Sequence, residues 1–245
     1  MAFNWKEYWS GKTDGGHRCS TEEFLEKESR EKLFHLNGGQ SLLDFGCGSA
    51  DLLVYFASSY NCIVGADFSQ SMLDRAQRRV HEFHCSDKIS LVHGNENTIW
   101  SKLNQNFDRI SATGVIQYLT KKQINSFLKD ALPKLSGCGK ILLFDIVDPR
   151  LFFLFKLGLF KKNDIGKMKL FINAVTLIFY EFCRFLKRLP LSNMGYAYYP
   201  KEIQEIAARH NLQFDYVWSM YYEYRYHAIL TPKSPIDTKE TPTNG

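Results

Sequence analysis

The chain has 245 residues, enough to bury a full core in one large domain, and its net charge of +5 is mild. The basic excess lies in residues 150–190, where nine Lys or Arg face two acidic residues; this segment carries +7 and the remaining sequence −2. An anionic partner is therefore expected to meet that segment, but its basic residues are interleaved with aliphatic ones, which argues against nucleic-acid binding.

The first 39 residues are polar and aromatic and predict an N-terminal helical lid. A helix is expected near 20–36, with the cluster 20–23 as its N-terminal cap and Asn37-Gly-Gly as its end. Trp5 and Trp9 are four residues apart and would share a helical face. For these tryptophans, a lid over a binding pocket and ordinary packing against a sheet remain alternatives.

Strands and helices then alternate over residues 40–148. Strands are predicted near 41–46, 62–67, 89–93, 107–113 and 140–146, and helices near 50–59, 70–83 and 121–135, with a weaker one near 97–104. Such βαβ units predict a doubly wound α/β fold with a mainly parallel sheet covered on both faces. Ligands in such sheets bind at the carboxyl ends of the strands, where the winding direction switches.

The alternation stops after the fifth strand, where residues 149–199 predict an inserted helical cap. Residues 200–232 return to the core sheet, with a helix near 200–210 and strands near 213–219 and 224–231. The two strands are joined too tightly for a crossover helix, so we expect antiparallel pairing. The sheet is thus seven-stranded and mostly parallel with an antiparallel C-terminal strand, and residues 233–245 predict a flexible tail.

The turn Gly46-Cys-Gly48 after the first strand is the most informative motif. Backbone N–H groups at such a turn, followed by the positive end of a helix, suit a small molecule with a carboxylate or phosphate. A dinucleotide site requires a third glycine for close packing. Asp51 occupies that place, where its carboxylate would repel a pyrophosphate, so the motif argues against a nicotinamide enzyme.

Five blocks of sequence resemble the class I S-adenosylmethionine-dependent methyltransferases of the small-molecule type, in order and spacing. They are residues 43–50, 64–76, 93–96, 107–119 and 139–145. The resemblance covers residues 40–147 and implies a Rossmann-like fold. It also implies S-adenosylmethionine (SAM) as the cofactor, S-adenosylhomocysteine (SAH) as the product and no metal.

The resemblance implies roles for the residues around the glycine turn. Gly46 and Gly48 would let the backbone approach the methionine part of the cofactor, and Asp44 would hold its amino group. Thr113 and Gly114, at the end of the fourth strand, would lie beside the methionine arm.

Residues after the second and third strands are expected to bind the adenosine part. Asp67 ends the second strand, and its carboxylate can accept both ribose hydroxyls if Ser69 caps the next helix and leaves Asp67 free. Phe68 would cover the adenine face. Asn95 stands where relatives carry Asp and can still accept from the adenine amino group, and Glu96 takes that role if the register slips by one.

Methyl transfer from a sulfonium is an in-line displacement, so alignment and desolvation account for much of the catalysis. A hydroxyl acceptor also needs a base, and the candidate catalytic residues are His17, Tyr118 and Asp145. The candidate substrate-binding residues are Trp9, Gln117, Tyr118, Tyr196 and Tyr199.

Apolar residues recur at helical spacing within 170–189, between groups of Lys and Arg. Three interpretations of this segment stay open: a helical cap that lines an apolar acceptor pocket, a membrane-surface segment that meets a lipid-like or lipid-linked acceptor, and the face of a homodimer.

The sequence as a whole predicts a SAM-dependent methyltransferase that acts on a small or amphiphilic acceptor, including an anionic one, at an oxygen atom. One alternative is nitrogen or carbon methylation of a lipid-like acceptor at a membrane surface. The other is a catalytically silent, methyltransferase-like binding module. Calorimetry with SAM discriminates the enzyme from the silent module.

The six cysteines form no C-x-x-C pair, and we interpret them as buried thiols of a reducing compartment. The first residues lack the apolar core of a signal peptide, and no run reaches the ~18–20 apolar residues that span a bilayer. We therefore expect a cytoplasmic location, with peripheral membrane contact through residues 150–190 as an alternative.

Overall fold

Helices and strands alternate along the chain in a computed structural model that describes residues 9, 21–159, 171–172, 174–179 and 195–233. The helices are labelled α1 (Glu22–Leu36), α2 (Leu53–Phe56), α3 (Gln70–Glu82), α4 (Lys121–Ala131), α5 (Pro149–Leu157) and α6 (Pro200–Arg209). Residues 171–172 and 174–179 are also helical. The strands are β1 (Ser41–Phe45), β2 (Cys62–Asp67), β3 (Ile89–His93), β4 (Phe107–Thr113), β5 (Leu135–Val147), β6 (Leu212–Trp218) and β7 (Arg225–Pro232).

The strands form one seven-stranded sheet in the order β3-β2-β1-β4-β5-β7-β6. Strands β1 to β5 pair in parallel, whereas β7 pairs antiparallel with both β5 and β6. This confirms the predicted Rossmann-like fold. The winding direction reverses between β1 and β4, so a ligand site is expected at the carboxyl ends of these neighbouring strands.

Helices cover both faces of the sheet. On one face, Ile124 and Phe127 of α4 and Ile203 of α6 are fully buried in the larger core cluster. On the other face, the second cluster holds apolar side chains of α1, α2 and α3. Because the central parallel strands are buried on both sides, runs such as Ile141-Leu-Leu-Phe144 of β5 are apolar without alternation.

Several element boundaries differ from the predictions for identifiable reasons. Helix α2 is shorter than predicted at both ends, and it starts late because Ala50 adopts a left-handed conformation (φ +61°) that cannot belong to a right-handed helix. Helix α4 ends at Ala131 and passes into a 3-10 turn that contains Pro133, which has no N–H to continue the helix. Strand β5 starts early, since Leu135 already pairs with Phe107. The weak helix near 97–104 is only a 3-10 turn, Trp100–Lys102.

Helix α1 lies within the predicted N-terminal lid, residues 1–39, but it packs in the core. Its Leu25 and Leu36 are buried in the same cluster as Phe144 of β5. Thr21 caps it, accepting a hydrogen bond from the N–H of Phe24 at 3.2 Å. Any lid therefore lies before residue 21. Trp9 is the one residue of that part of the chain that the structure describes.

A buried group of charges joins α1 to β5 and β7. The Lys32 ammonium lies 3.3 Å from Glu28, 3.4 Å from Glu31 and 3.1 Å from Asp145. His227 Nε2 lies 3.1 Å from Glu31 Oε1. Although burial raises it, the pKa of Glu31 is lowered overall because His227 and Lys32 stabilise the ionised carboxylate.

Asp145, a predicted catalytic residue, belongs to this group of charges. Its carboxylate is 1% exposed and pairs with Lys32, while its backbone N–H donates to His227 Nδ1 at 3.1 Å. The ion pair holds the carboxylate against α1, so its geometry suits a structural role better than proton transfer to an acceptor.

Two further sequence expectations concern cysteines and membrane spans. Cys47, Cys62, Cys85 and Cys138 are free thiols, but Cys85 is the buried one and Cys138 is exposed, so the prediction of uniformly buried thiols is wrong. Within the described part of the chain, no helix is both long enough and apolar enough to cross a bilayer.

Candidate functional site

The turn after β1 is fixed to the end of β2 by its backbone. The N–H groups of Gly46 and Cys47 both donate to the carbonyl of Ala66, at 2.7 and 3.0 Å. Gly46 has φ +78°, and a Cβ atom added to it would lie 2.3 Å from Val115 Cγ2. Gly48 has φ +56°, but a Cβ there would meet no atom within 4 Å. Packing thus requires Gly46, whereas Gly48 borders open space.

Asp67 lies beside this open turn. One carboxylate oxygen accepts the N–H of Gly48 at 3.0 Å and the other accepts the N–H of Ser69 at 2.8 Å. Burial raises the pKa of Asp67 although these backbone hydrogen bonds lower it, because the side chain is only 9% exposed. An ionised carboxylate offers about four lone-pair positions, so Asp67 can still accept hydroxyl donors from a ligand.

The expected cap of α3 is arranged differently. Ser69 is the N-terminal cap residue by backbone position, but its side chain makes no capping hydrogen bond and instead lies 3.0 Å from the Ser71 hydroxyl. The Asp67 carboxylate takes the Ser69 N–H. The prediction that Ser69 leaves Asp67 free is therefore wrong, and Asp67 ties the turn to the start of α3.

Asp44 is held in place by a neighbouring strand. It is 5% exposed and accepts a hydrogen bond from the Ser111 hydroxyl at 2.7 Å. Ser111 was absent from the sequence prediction. Ser111 could have been identified from the parallel register of β1 and β4, which pairs it with Asp44. That register is known only once the sheet is assembled.

The loop after β3 holds the residues predicted to meet adenine. Asn95 Oδ1 accepts the N–H of Asn97 at 2.9 Å, so this side chain stabilises the turn. Glu96 is buried and accepts from Gln123 Nε2 at 3.3 Å. Phe68 is half-buried and follows Asp67 directly. Of these three, Phe68 has the side chain least engaged with protein partners.

The end of β4 presents two buried polar atoms with unmet hydrogen-bonding capacity. Gln117 donates from Nε2 to the carbonyl of Gly114 at 3.1 Å, while its Oε1 has no hydrogen-bond partner among the described residues. The Thr113 hydroxyl is likewise buried without a partner there. Buried polar atoms are nearly always hydrogen-bonded, so this pair indicates a place for a ligand.

The predicted acceptor residues divide into two sets. The ring of Trp9 meets the ring of Tyr118 edge-on at 5.4 Å, and the N–H of Tyr196 donates to the carbonyl of Gln117 at 2.6 Å. These residues are brought together after β4. Tyr199 is exposed, 5.7 Å from the guanidinium of Arg150. His17 lies outside the described residues.

The charges of the site favour some ligands. Two buried carboxylates, Asp44 and Asp67, flank the turn, so hydroxyl and ammonium groups of a ligand would be favoured beside them. Asp51, which was expected to oppose a pyrophosphate directly, instead accepts from the Ser49 hydroxyl at 2.9 Å and lies 3.8 Å from Arg79. What remains against a dinucleotide is that Asp51 stands where such a motif needs a third glycine.

Comparisons with known proteins agree with this geometry. Residues 42–138 match the profile of a family described as "Methyltransferase domain". A demethylmenaquinone methyltransferase from Staphylococcus saprophyticus is 30% identical over 106 residues, which are 40% of this chain and 44% of that protein. The chain thus matches less than half of that relative's length.

Solved structures share the fold at low sequence identity. A magnesium protoporphyrin IX methyltransferase from Synechocystis with bound SAH superposes with a TM-score of 0.58 at 12% identity, over 94% of this chain and 96% of that one. An O-methyltransferase family protein from Burkholderia thailandensis gives 0.59 at 12% identity, over 87% and 56%.

Proposed function

We propose that the chain is a class I S-adenosylmethionine-dependent methyltransferase, which the match of residues 42–138 and the shared fold support, and that it transfers a methyl group from SAM to a small or amphiphilic acceptor, at an oxygen atom. The observation that carries the proposal is the Asp67 carboxylate, which is buried at the end of β2 and joined to the open turn at Gly48.

The residues around the turn fit the parts of SAM. Asp67 would accept the ribose hydroxyls, and Phe68 would cover one face of the adenine. Asp44, oriented by Ser111, would hold the ammonium of the methionine end above the open space at Gly48. When bound, SAM supplies the methyl group on a sulfonium and leaves as SAH.

Residues after β4 would hold the acceptor. Gln117 Oε1 can accept a hydrogen bond from an acceptor hydroxyl, because its amide is already oriented by the carbonyl of Gly114. Tyr118 and Trp9, in ring contact, would exclude water from the reacting atoms, which strengthens alignment in the site. A hydroxyl acceptor also needs a group that takes its proton. Of the two described residues in the predicted catalytic set, Tyr118 remains the candidate for this role, since Asp145 is ion-paired with Lys32.

Oxygen and an amphiphilic acceptor are supported by separate arguments. One structural neighbour is titled an O-methyltransferase family protein, and the curated relative is named for demethylmenaquinone. Residues 149–199, which we propose to cap the acceptor side, return to the site where Tyr196 bonds to Gln117. Simple phenols are therefore the first acceptors to assay for oxygen methylation, and demethylmenaquinone is the first for the alternative of carbon methylation on a lipid-like acceptor.

Titration calorimetry with SAM, SAH and NADH tests the proposal. We expect SAM and SAH to bind with a one-to-one stoichiometry and NADH not to bind, because Asp51 replaces the third glycine that a dinucleotide motif needs. Binding of NADH without SAM would contradict the proposal. If neither SAM nor SAH bound, the enzyme proposal would be contradicted and the silent binding module favoured.

A further inference from the structure

The helical residues 171–172 and 174–179, between β5 and α6, turn their large apolar side chains away from the protein. At about 100° per residue, these side chains cover an arc of about 120°. Leu177, on the opposite side of the helix, is only 7% exposed. The outward arc consists of side chains that are each half or more exposed: Phe171, Ile172, Val175, Ile178 and Phe179. A helix that packs on a soluble core shows the reverse arrangement.

Helix α5 adds to this apolar surface. Phe152 is buried against Tyr224, whereas Phe153 and Leu159 are 44% and 54% exposed. The Lys156 ammonium lies 4.9 Å from the ring of Phe152. A basic side chain therefore lies beside this apolar surface.

Charge decides which partner this surface fits. Residues 150–190 carry +7, so pairing the surface with a second copy would bring two strongly positive segments together. An anionic lipid surface instead attracts the basic residues and accepts the apolar arc, the combination that holds interfacial helices. We propose that the exposed apolar side chains of α5 and of residues 171–172 and 174–179, with the basic residues of this part of the sequence, dock the protein on membranes that contain anionic lipids.

The chain connects this docking surface to the candidate site. The segment leaves the sheet at the end of β5, where the N–H of Asp148 donates to the Tyr224 carbonyl at 3.0 Å. It returns where Tyr196 bonds to Gln117 at 2.6 Å and Tyr198 to Val147 at 2.9 Å. Both ends thus lie at the carboxyl edge of the sheet. We infer that an amphiphilic acceptor enters the site from the membrane at this edge, and this step rests on the proposed function. The docking on the membrane does not depend on the proposed function.

Co-sedimentation of the full chain with vesicles tests the docking. Vesicles of phosphatidylglycerol and phosphatidylcholine should bind the protein, and pure phosphatidylcholine vesicles should bind it at least ~10-fold less, since each basic residue near the surface adds to the attraction. Ile178→Asp should reduce binding by ~10-fold or more, the loss expected when one buried aliphatic side chain is removed from the interface. Thr176→Asp, an exposed position outside the arc with the same charge change, should reduce it several-fold less.

Each other outcome overturns the docking. These outcomes are equal binding of the two vesicle types, equal losses for the two variants, and no binding at all. If the wild type sediments as a dimer that Ile178→Asp dissociates, without vesicle binding, a second copy covers the surface. Calorimetry with SAM on the same variants should be unchanged, so failure of the docking and failure of methyl transfer are distinguishable.

Discussion

Asp67 is the residue on which the candidate site depends most, because it joins the glycine turn, α3 and the proposed ribose position. Replacing it by Ala should weaken SAM binding by about 1–3 kcal/mol, the loss expected for hydrogen bonds to a charged group. Titration calorimetry measures the change. Asp87→Ala, at an exposed position, is the matched control and should bind SAM as the wild type does. Equal affinity of both variants would refute the ribose assignment.

The pKa of Asp67 predicts how SAM affinity depends on pH. Burial raises this pKa above that of an ordinary aspartate, and the protonated form accepts fewer hydroxyl hydrogen bonds. Affinity should therefore be complete above the raised pKa and fall as the pH drops through it, starting at a higher pH than for an exposed Asp. Calorimetry from neutral to acidic pH, on protein shown by circular dichroism to stay folded, measures this. An affinity that does not change with pH down to acid unfolding would contradict the assignment.

Substitutions at Gly48 and Gly46 should affect SAM binding and protein stability to different extents. Gly48→Ala adds a methyl group to open space at φ +56°, so it should cost about 1–2 kcal/mol of stability and abolish measurable SAM binding by filling the cradle. Gly46→Ala forces its methyl group into Val115 and should destabilise the fold more. Thermal unfolding and calorimetry on both variants check this order. A Gly48→Ala protein that binds SAM normally would show that the ligand lies elsewhere.

At the residue scale, the sequence predicts positions better than partners. Gly46, Gly48 and Asp67 are recognisable because they stand at strand ends with a spacing that the chain itself displays. The hydrogen bond from the Ser111 hydroxyl to Asp44 depends on the strand register. The hydrogen bond from the Ser69 N–H to Asp67 depends on the start of α3 being held by the Asp67 carboxylate and not by the Ser69 side chain. Neither is determined by local sequence.

Helix α1 shows what the element scale adds. Its Lys32 is fully buried among Glu28, Glu31 and Asp145, so the helix is bound to the sheet by ion pairs as well as by Leu25 and Leu36. Lys32→Met would leave several buried carboxylates without their cation. It should lower the free energy of unfolding by about 3–5 kcal/mol.

Denaturant unfolding of Lys32→Met beside Arg30→Met checks this prediction. Arg30 is on the same helix and its pair with Glu26 is exposed, so its loss should cost under about 1 kcal/mol. Equal effects of the two substitutions would show that the buried cluster contributes no more than a surface pair.

Most elements of the core could be predicted from the sequence because strands buried on both faces and amphipathic helices leave clear patterns. Helix α3, with Met72, Leu73, Ala76 and Val80 buried, is such a case. Helix α1 was placed correctly but given the wrong role, since its inward face is charged and resembles a solvated surface until Asp145 and His227 are seen opposite it.

At the scale of the whole molecule, the sheet order brings four chain segments to one edge. Parallel pairing places the turn after β1, Asp67 after β2, the Asn95 loop after β3 and Gln117 after β4 together. Segment 149–199 leaves and returns at the same edge. The alternation of elements predicts this assembly, but the proposed acceptor side combines side chains from distant segments, which no local pattern describes.

A crystal structure of the full chain with SAH tests the central claim most directly. The account predicts that both ribose hydroxyls lie within hydrogen-bonding distance of the Asp67 carboxylate. It also predicts that the methionine end lies over Gly48 with its amino group at Asp44. SAH bound anywhere else, or bound at this edge with its ribose away from Asp67, would contradict it.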